Sequence, residues 1–210
     1  MNVAFFDVKK LIQIQIISSI KIIEIVGNIM KPYVALFRGI NVGGHSTLPM
    51  KTLTSILEDL GAVNVKTYIN SGNAVFQISE ENLPFLPEKI INLVKQKCGF
   101  APHVLLLSMA EFEKAMNENP FPEMELFPAN LHLGFLASKP ENPNFVKIDS
   151  LKSESERYRL TENMFYLCAP DGIGRSKLAS NIEKILGVPM TDRNWRTVCK
   201  IREMYSKFTS

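Results

Sequence analysis

Cysteine is scarce in this 210-residue chain, and tryptophan occurs once. Cys98, Cys168 and Cys199 form no CxxC pair and no even framework. This excludes a disulfide scaffold and a cysteine zinc site, and it suits a reducing compartment, so a cytoplasmic location is expected. The three histidines, His45, His103 and His132, stand at no metal-ligand spacing, so neither a metal nor a cofactor is expected. An uninterrupted apolar run of the roughly 18 residues that a membrane span needs is also missing. The isoleucine-rich stretch near the N-terminus is broken by Gln13, Gln15, Lys21 and Glu24, and no small-residue cleavage pattern follows it. No membrane partner is expected.

The remaining composition is that of an ordinary globular protein: 46% hydrophobic, 21% charged, net charge +3. It leaves room for one domain or two small subdomains. The charge is uneven. From Arg175 onward eight Lys and Arg face three acids, a surplus of five, which leaves residues 1–174 at −2. An anionic partner is therefore expected to meet the C-terminal segment.

Residues 1–29 read as an upstream extension, because a clean strand begins directly after Met30-Lys31-Pro32. An extra strand or amphipathic helix covering a sheet edge is the alternative. Tyr33-Val34-Ala35-Leu36-Phe37 is nearly continuously apolar, the pattern of a strand buried on both faces. Met50, Leu53, Ile56, Leu57 and Leu60 recur at helical spacing, with Thr47 as a candidate cap and Gly61 as the stop. Val65-Lys66-Thr67 and Ala74-Val75-Phe76 flank Asn70-Ser71-Gly72-Asn73 and read as a hairpin. A helix over 88–98 and a strand over 103–107 complete a βαββαβ order, which predicts a ferredoxin-like sheet for residues 30–108.

Residues 109–210 read as a second, related α+β unit. A helix is predicted over 110–117, strands over 131–137, 157–160 and 164–168, a helix carrying Leu178, Ile182, Ile185 and Leu186, and a last helix over 192–205. The fold class is α+β, with two α/β-sandwich subdomains.

Two glycine turns stand out. Gly39-x-x-x-x-Gly44-His45-Ser46 is one residue from a phosphate-binding P-loop, but a histidine holds the lysine position, so nucleotide hydrolysis of that kind is not expected. Backbone N–H groups in glycine conformations can still hold an anion. A tight connection needing positive φ at Gly43 and Gly44 is an equally good reading. In a βαββαβ sheet the first and third strands are neighbours, so Arg38-Gly39-Ile40-Asn41 should meet Gly72-Asn73. Arg38 then needs an acceptor, either a backbone carbonyl or a bound anion. The second turn, Asp171-Gly172-Ile173-Gly174-Arg175-Ser176, opens a helix. On the predicted last helix Arg193, Arg196, Lys200 and Lys207 share a stripe beside an apolar arc that includes Trp195. A solvated basic face is the plainer interpretation, and a lone tryptophan more often packs than stacks on a base.

The segments YVALFRGINVGG (33–44), TYINSGNAVF (67–76), Gly174-Arg175-Ser176 and TDRNWRTV (191–198) resemble the DUF1697 family, a set of small, mostly bacterial proteins. The resemblance runs over residues 30–210 and implies a tandem ferredoxin-like fold, with no activity attached. Members often carry a basic residue after the paired glycines; here His45-Ser46-Thr47 follows, which weakens a lysine-like role.

The function expected is a binding module for a phosphate-bearing ligand, a nucleotide or a nucleic acid, held between the glycine turns. Its candidate contacts are Arg38, Asn41, Gly43, Gly44, Asn70, Ser71, Gly72, Asn73, Arg175, Ser176, Arg193, Asn194 and Trp195. The alternative is a transferase or hydrolase of a phosphorylated metabolite, with Ser71 or His45 assisting. Against it, these motifs hold no carboxylate pair for acid–base work.

Overall fold

The computed structural model describes residues 29–43, 46–68, 70 and 72–208. The expectations placed on residues 1–28, Gly44, His45 and Ser71 lie outside the described residues. Strand β1 (Met30–Arg38) runs through the centre of the first sheet. Its apolar run is buried on both faces: Val34 and Leu36 belong to one core, Ala35 and Phe37 to another. Helix α1 (Met50–Asp59), strands β2 (Val63–Tyr68) and β3 (Asn73–Ser79), helix α2 (Leu86–Cys98) and strand β4 (His103–Ser108) complete the unit. The sheet order is β2-β3-β1-β4, the ferredoxin-like arrangement. Pro49 occupies the cap position of α1 with no side-chain cap, so Thr47 does not cap that helix.

A capping box follows at once. The Ser108 hydroxyl accepts the Glu111 N–H and the Glu111 carboxylate accepts the Ser108 N–H, starting α3 (Met109–Asn117). The second sheet contains β5 (Leu131–Leu136), β6 (Arg157–Leu160), β7 (Met164–Cys168) and β8 (Met190–Asn194), with α4 (Phe145–Leu151) and α5 (Lys177–Leu186) between them and α6 (Trp195–Ser206) last. Its order, β6-β7-β5-β8, repeats that of the first sheet.

Two of these elements differ from the sequence reading. Helix α4 spans seven residues and buries only Ile148, too little to register as a period. Residues 190–194 form a strand where the start of the last helix was expected. That helix begins at Trp195, because the Asn194 side chain caps it by accepting the Thr197 N–H at 3.0 Å.

Helices α3 and α6 lie between the two sheets. Val34, Leu36 and Val75 reach this central layer from one side, and Leu131, Leu133, Phe135 and Tyr166 from the other. Phe112 of α3 stacks on Phe135 with ring centroids 5.4 Å apart. The Tyr166 hydroxyl donates to the Ala115 carbonyl at 2.8 Å, which satisfies the one polar atom of that buried ring. Two outer cores back the sheets: Leu53, Ile56 and Ile90 under α1 and α2, and Ile148, Leu178 and Ile182 under α4 and α5.

Candidate functional site

The pairing Leu36↔Asn73 puts the end of β1 beside the hairpin turn that starts β3, as strand order required. Asn41, at φ 54°, ties the two turns together. Its side-chain amide donates to the Leu48 carbonyl at 3.0 Å and the Asn70 carbonyl at 2.8 Å, and its oxygen accepts the Leu48 N–H at 2.8 Å. Asparagine tolerates this left-handed backbone and supplies both donor and acceptor. At Gly72 (φ 75°) a Cβ would lie 2.6 Å from the Phe37 Cβ, so no larger residue fits without movement.

Arg193 enters this cluster from β8. Its Nε donates to the Asn73 side-chain oxygen at 2.6 Å, its Nη2 to the Phe37 and Gly72 carbonyls at 2.7 and 3.1 Å, and its Nη1 to the carbonyl of the preceding residue, Asp192, at 2.8 Å. Burial pulls the guanidinium down to about 10, with nearby Asp192 opposing, so it stays charged at neutral pH. Arg38 reaches the opposite way. Its Nη1 pairs with Glu183 of α5 and donates to the Met190 carbonyl at 3.0 Å. The acceptors that Arg38 needed are thus a carboxylate and a carbonyl of the second unit.

The expected basic stripe on the last helix is corrected by β8. Arg193 is on the strand, Arg196 is exposed on α6, and Lys200 and Lys207 both pair with Glu203, at 2.7 and 3.2 Å. Trp195 is 6% exposed and packs in the central layer, so its ring does not offer a stacking face.

The second glycine turn is elsewhere. Ser176 is buried and its hydroxyl accepts the Ala179 N–H at 2.9 Å, starting α5. Glu183, the partner of Arg38, is seven residues further along, about 10 Å at 1.5 Å per residue. The two glycine turns therefore lie toward opposite ends of α5. Arg175 and Lys177 are exposed and, with Lys152, line a cleft of about 490 Å³. Of the acids in that cleft, Asp171 accepts from the Ser155 hydroxyl at 2.7 Å and buried Glu156 from the Ser153 N–H at 3.0 Å. Arg175 and Lys177 form no ion pair among the described residues.

One interaction had no sequence signal. His132 on β5 is opposite Asn194 in the ladder, which brings it to Asp192: Nδ1 is 2.8 Å from that carboxylate, and Nε2 is 3.1 Å from the Ala129 carbonyl. Burial lowers its pKa, but the Asp192 hydrogen bond and charge and the Ala129 carbonyl outweigh it, and the net shift is upward. Both ring nitrogens face an acceptor, an arrangement that favours the protonated ring relative to an isolated histidine. Burial pushes the Cys168 thiol up to about 11 and the Tyr166 hydroxyl up to about 12, which argues against nucleophilic use of either. No group of three or more metal-ligating side chains occurs among the described residues.

Residues 30–166 match the model of a family described as protein of unknown function (DUF1697). The chain belongs to the DUF1697 family. The matched span takes in both turns at the end of β1 and the start of β3, and it ends before the Arg175-Ser176 turn. Among solved structures, a conserved bacterial protein from Streptococcus pneumoniae, SP0830, is similar at 27% identity and a TM-score of 0.58. The alignment covers 84% of this chain and 99% of that one. No curated protein matches the chain. Among the described residues, no helix is long and apolar enough to cross a membrane.

Proposed function

We propose that this DUF1697 chain is a binding module for a phosphate-bearing small ligand, of nucleotide size, held at the second glycine turn by Arg175, Lys177 and Lys152. The observation that carries the proposal is that Arg175 and Lys177 open onto a cleft of about 490 Å³ without an ion-pair partner among the described residues. That volume is in the range of small-molecule sites. Guanidinium and ammonium donors together suit a phosphoryl group. The Arg175 and Ser176 N–H groups are taken by the Gly172 and Ile173 carbonyls, so what the turn adds is the positive end of α5. In this reading the described residues of the other cluster, Arg38, Asn41, Gly43, Asn70, Gly72, Asn73 and Arg193, fasten the two units to each other, while Asn194 and Trp195 serve α6. Binding fits the chemistry better than turnover: the acids near the cleft already accept hydrogen bonds from Ser153 and Ser155. We place the activity in the cytoplasm, where three unpaired cysteines are at home.

The test is calorimetric titration of the full chain with inorganic phosphate, nucleoside mono- and triphosphates and single-stranded RNA. Nucleotide binding that weakens at least about tenfold in Arg175→Ala/Lys177→Ala, with a shallow salt dependence, is the expected result. A steep salt slope confined to RNA would assign a nucleic acid instead. Binding lost in Arg38→Ala but intact in the Arg175→Ala/Lys177→Ala variant would move the site to the first glycine turn.

A further inference from the structure

A sheet edge presents unpaired N–H and C=O groups, and soluble proteins guard such edges with charges, bulges or short strands. Three of the four edges here follow that rule. β2 carries Lys66 and a register shift between Val63 and Lys66, the four-residue β6 carries Arg157 and Arg159, and β8 carries Asp192 and Arg193. The fourth does not. β4 reads His103-Val104-Leu105-Leu106-Leu107-Ser108, with no Lys, Arg, Asp, Glu or Pro, and its three leucines are only half-buried. Its inner side is taken by β1 in a six-residue register with no shift. Its outer side has no strand partner among the described residues.

The same leucines form one wall of a cleft of about 540 Å³, with Phe135 and Met164 among the residues that complete its apolar lining. The charges around the cleft are mixed in sign. Lys114 lies 3.8 Å from Glu118, Glu162 pairs with Lys139, and Glu111 is held in the Ser108 capping box. A rim of one sign would select an oppositely charged partner, whereas a mixed rim can complement its own copy.

We infer that β4 is a self-association edge, at which two copies of this chain pair antiparallel across a two-fold axis and join their first sheets into one of eight strands. Antiparallel pairing with an identical strand is self-complementary, as an isologous interface requires. The ladder also fixes where the axis can fall. In an antiparallel pair residues of alternate parity turn their N–H and C=O groups outward, so facing residues share parity. Of the centres this allows, Leu105 facing Leu105 of the second copy, or Leu106 facing Leu106, pairs the most residues of β4. A lysine at either position brings like charges together or sets a charge beside the axis.

The deciding measurement is sedimentation equilibrium of the full chain at micromolar and hundred-micromolar loading, with hydrogen exchange at both. We expect a mass rising to twice that of the chain and alternate β4 amides gaining protection as the dimer fills. Leu105→Lys and Leu106→Lys, checked for folding by circular dichroism, should weaken association by about a hundredfold. A monomer at every loading overturns the inference, whether the β4 amides are exposed or are protected by some other occupant. A dimer that survives both folded lysine variants also overturns it. If neither variant folds, exchange in the unaltered chain decides: protection of β4 that does not change with concentration overturns the inference.

Discussion

Arg193 and Asn73, 120 residues apart, share a hydrogen bond of 2.6 Å between the edge of one sheet and the first residue of a strand in the other. The same guanidinium holds the Phe37 and Gly72 carbonyls, so one side chain satisfies three acceptors of the first unit. Arg193→Met would leave buried Asn73 and two carbonyls without that donor, at a cost of about 3 kcal/mol or more. Arg193→Lys should recover less than half of the loss, because an ammonium cannot reproduce the planar fork. Urea unfolding of both variants provides the check.

Gly72 and Gly39 both have positive φ, but they differ in their surroundings. A Cβ at Gly72 would meet Phe37 at 2.6 Å and Ile40 at 2.8 Å, whereas at Gly39 it would meet nothing within 4 Å. Gly39→Ala should cost about 1 kcal/mol, from backbone strain alone. Gly72→Ala should cost at least about 2 kcal/mol more, since overpacking adds to the strain. Similar losses in thermal melts of the two variants would contradict this account.

The folded pKa of His132 is raised above its ordinary 6.5. A group of this kind contributes stability that is fully present below its unfolded pKa and is lost as pH rises through the folded value. Wild type should therefore exceed Asp192→Asn in stability by most at about pH 5.5, and the gap should narrow as pH rises above about 6.5. An advantage that grew with pH would mean that the contact depends on neutral imidazole. Denaturant midpoints across that range measure the difference.

Trp195 is the only tryptophan and lies in the core shared by both sheets. Its emission should be that of a buried indole and should report on both units at once. Fluorescence and far-ultraviolet circular dichroism are expected to give one coincident unfolding transition. Trp195→Ala should cost about 3 to 5 kcal/mol. Two separated transitions would show that the units unfold independently.

These contrasts also indicate what the sequence could reveal. β1 was legible because burial on both faces leaves an unbroken apolar run, and its meeting with the hairpin turn followed from strand order alone. The need of Arg38 for an acceptor could also be read from a cation ending such a strand. The choice of Glu183, 145 residues away, could not, because it depends on how the two units dock. β8 was hidden for a different reason: Thr191-Asp192-Arg193-Asn194 is a short polar edge, and its charges resembled the first turn of the following helix. The tandem topology left no repeated letters, because the fold requires only matching burial patterns. Arg175 and Arg193 looked alike in sequence. One is exposed on a cleft; the other is enclosed by carbonyls.

The layer formed by α3 and α6 sets an order of events during synthesis. The inner face of the first sheet, with Val34, Leu36 and Val75, is covered in part by α6, which packs against β2 and β3. At a ribosomal pace of about 5 to 20 residues per second, α6 follows β4 by roughly 5 to 20 s. For that interval the part of this apolar face that α6 covers lacks that cover, and this is the period in which a holding chaperone would protect the nascent chain.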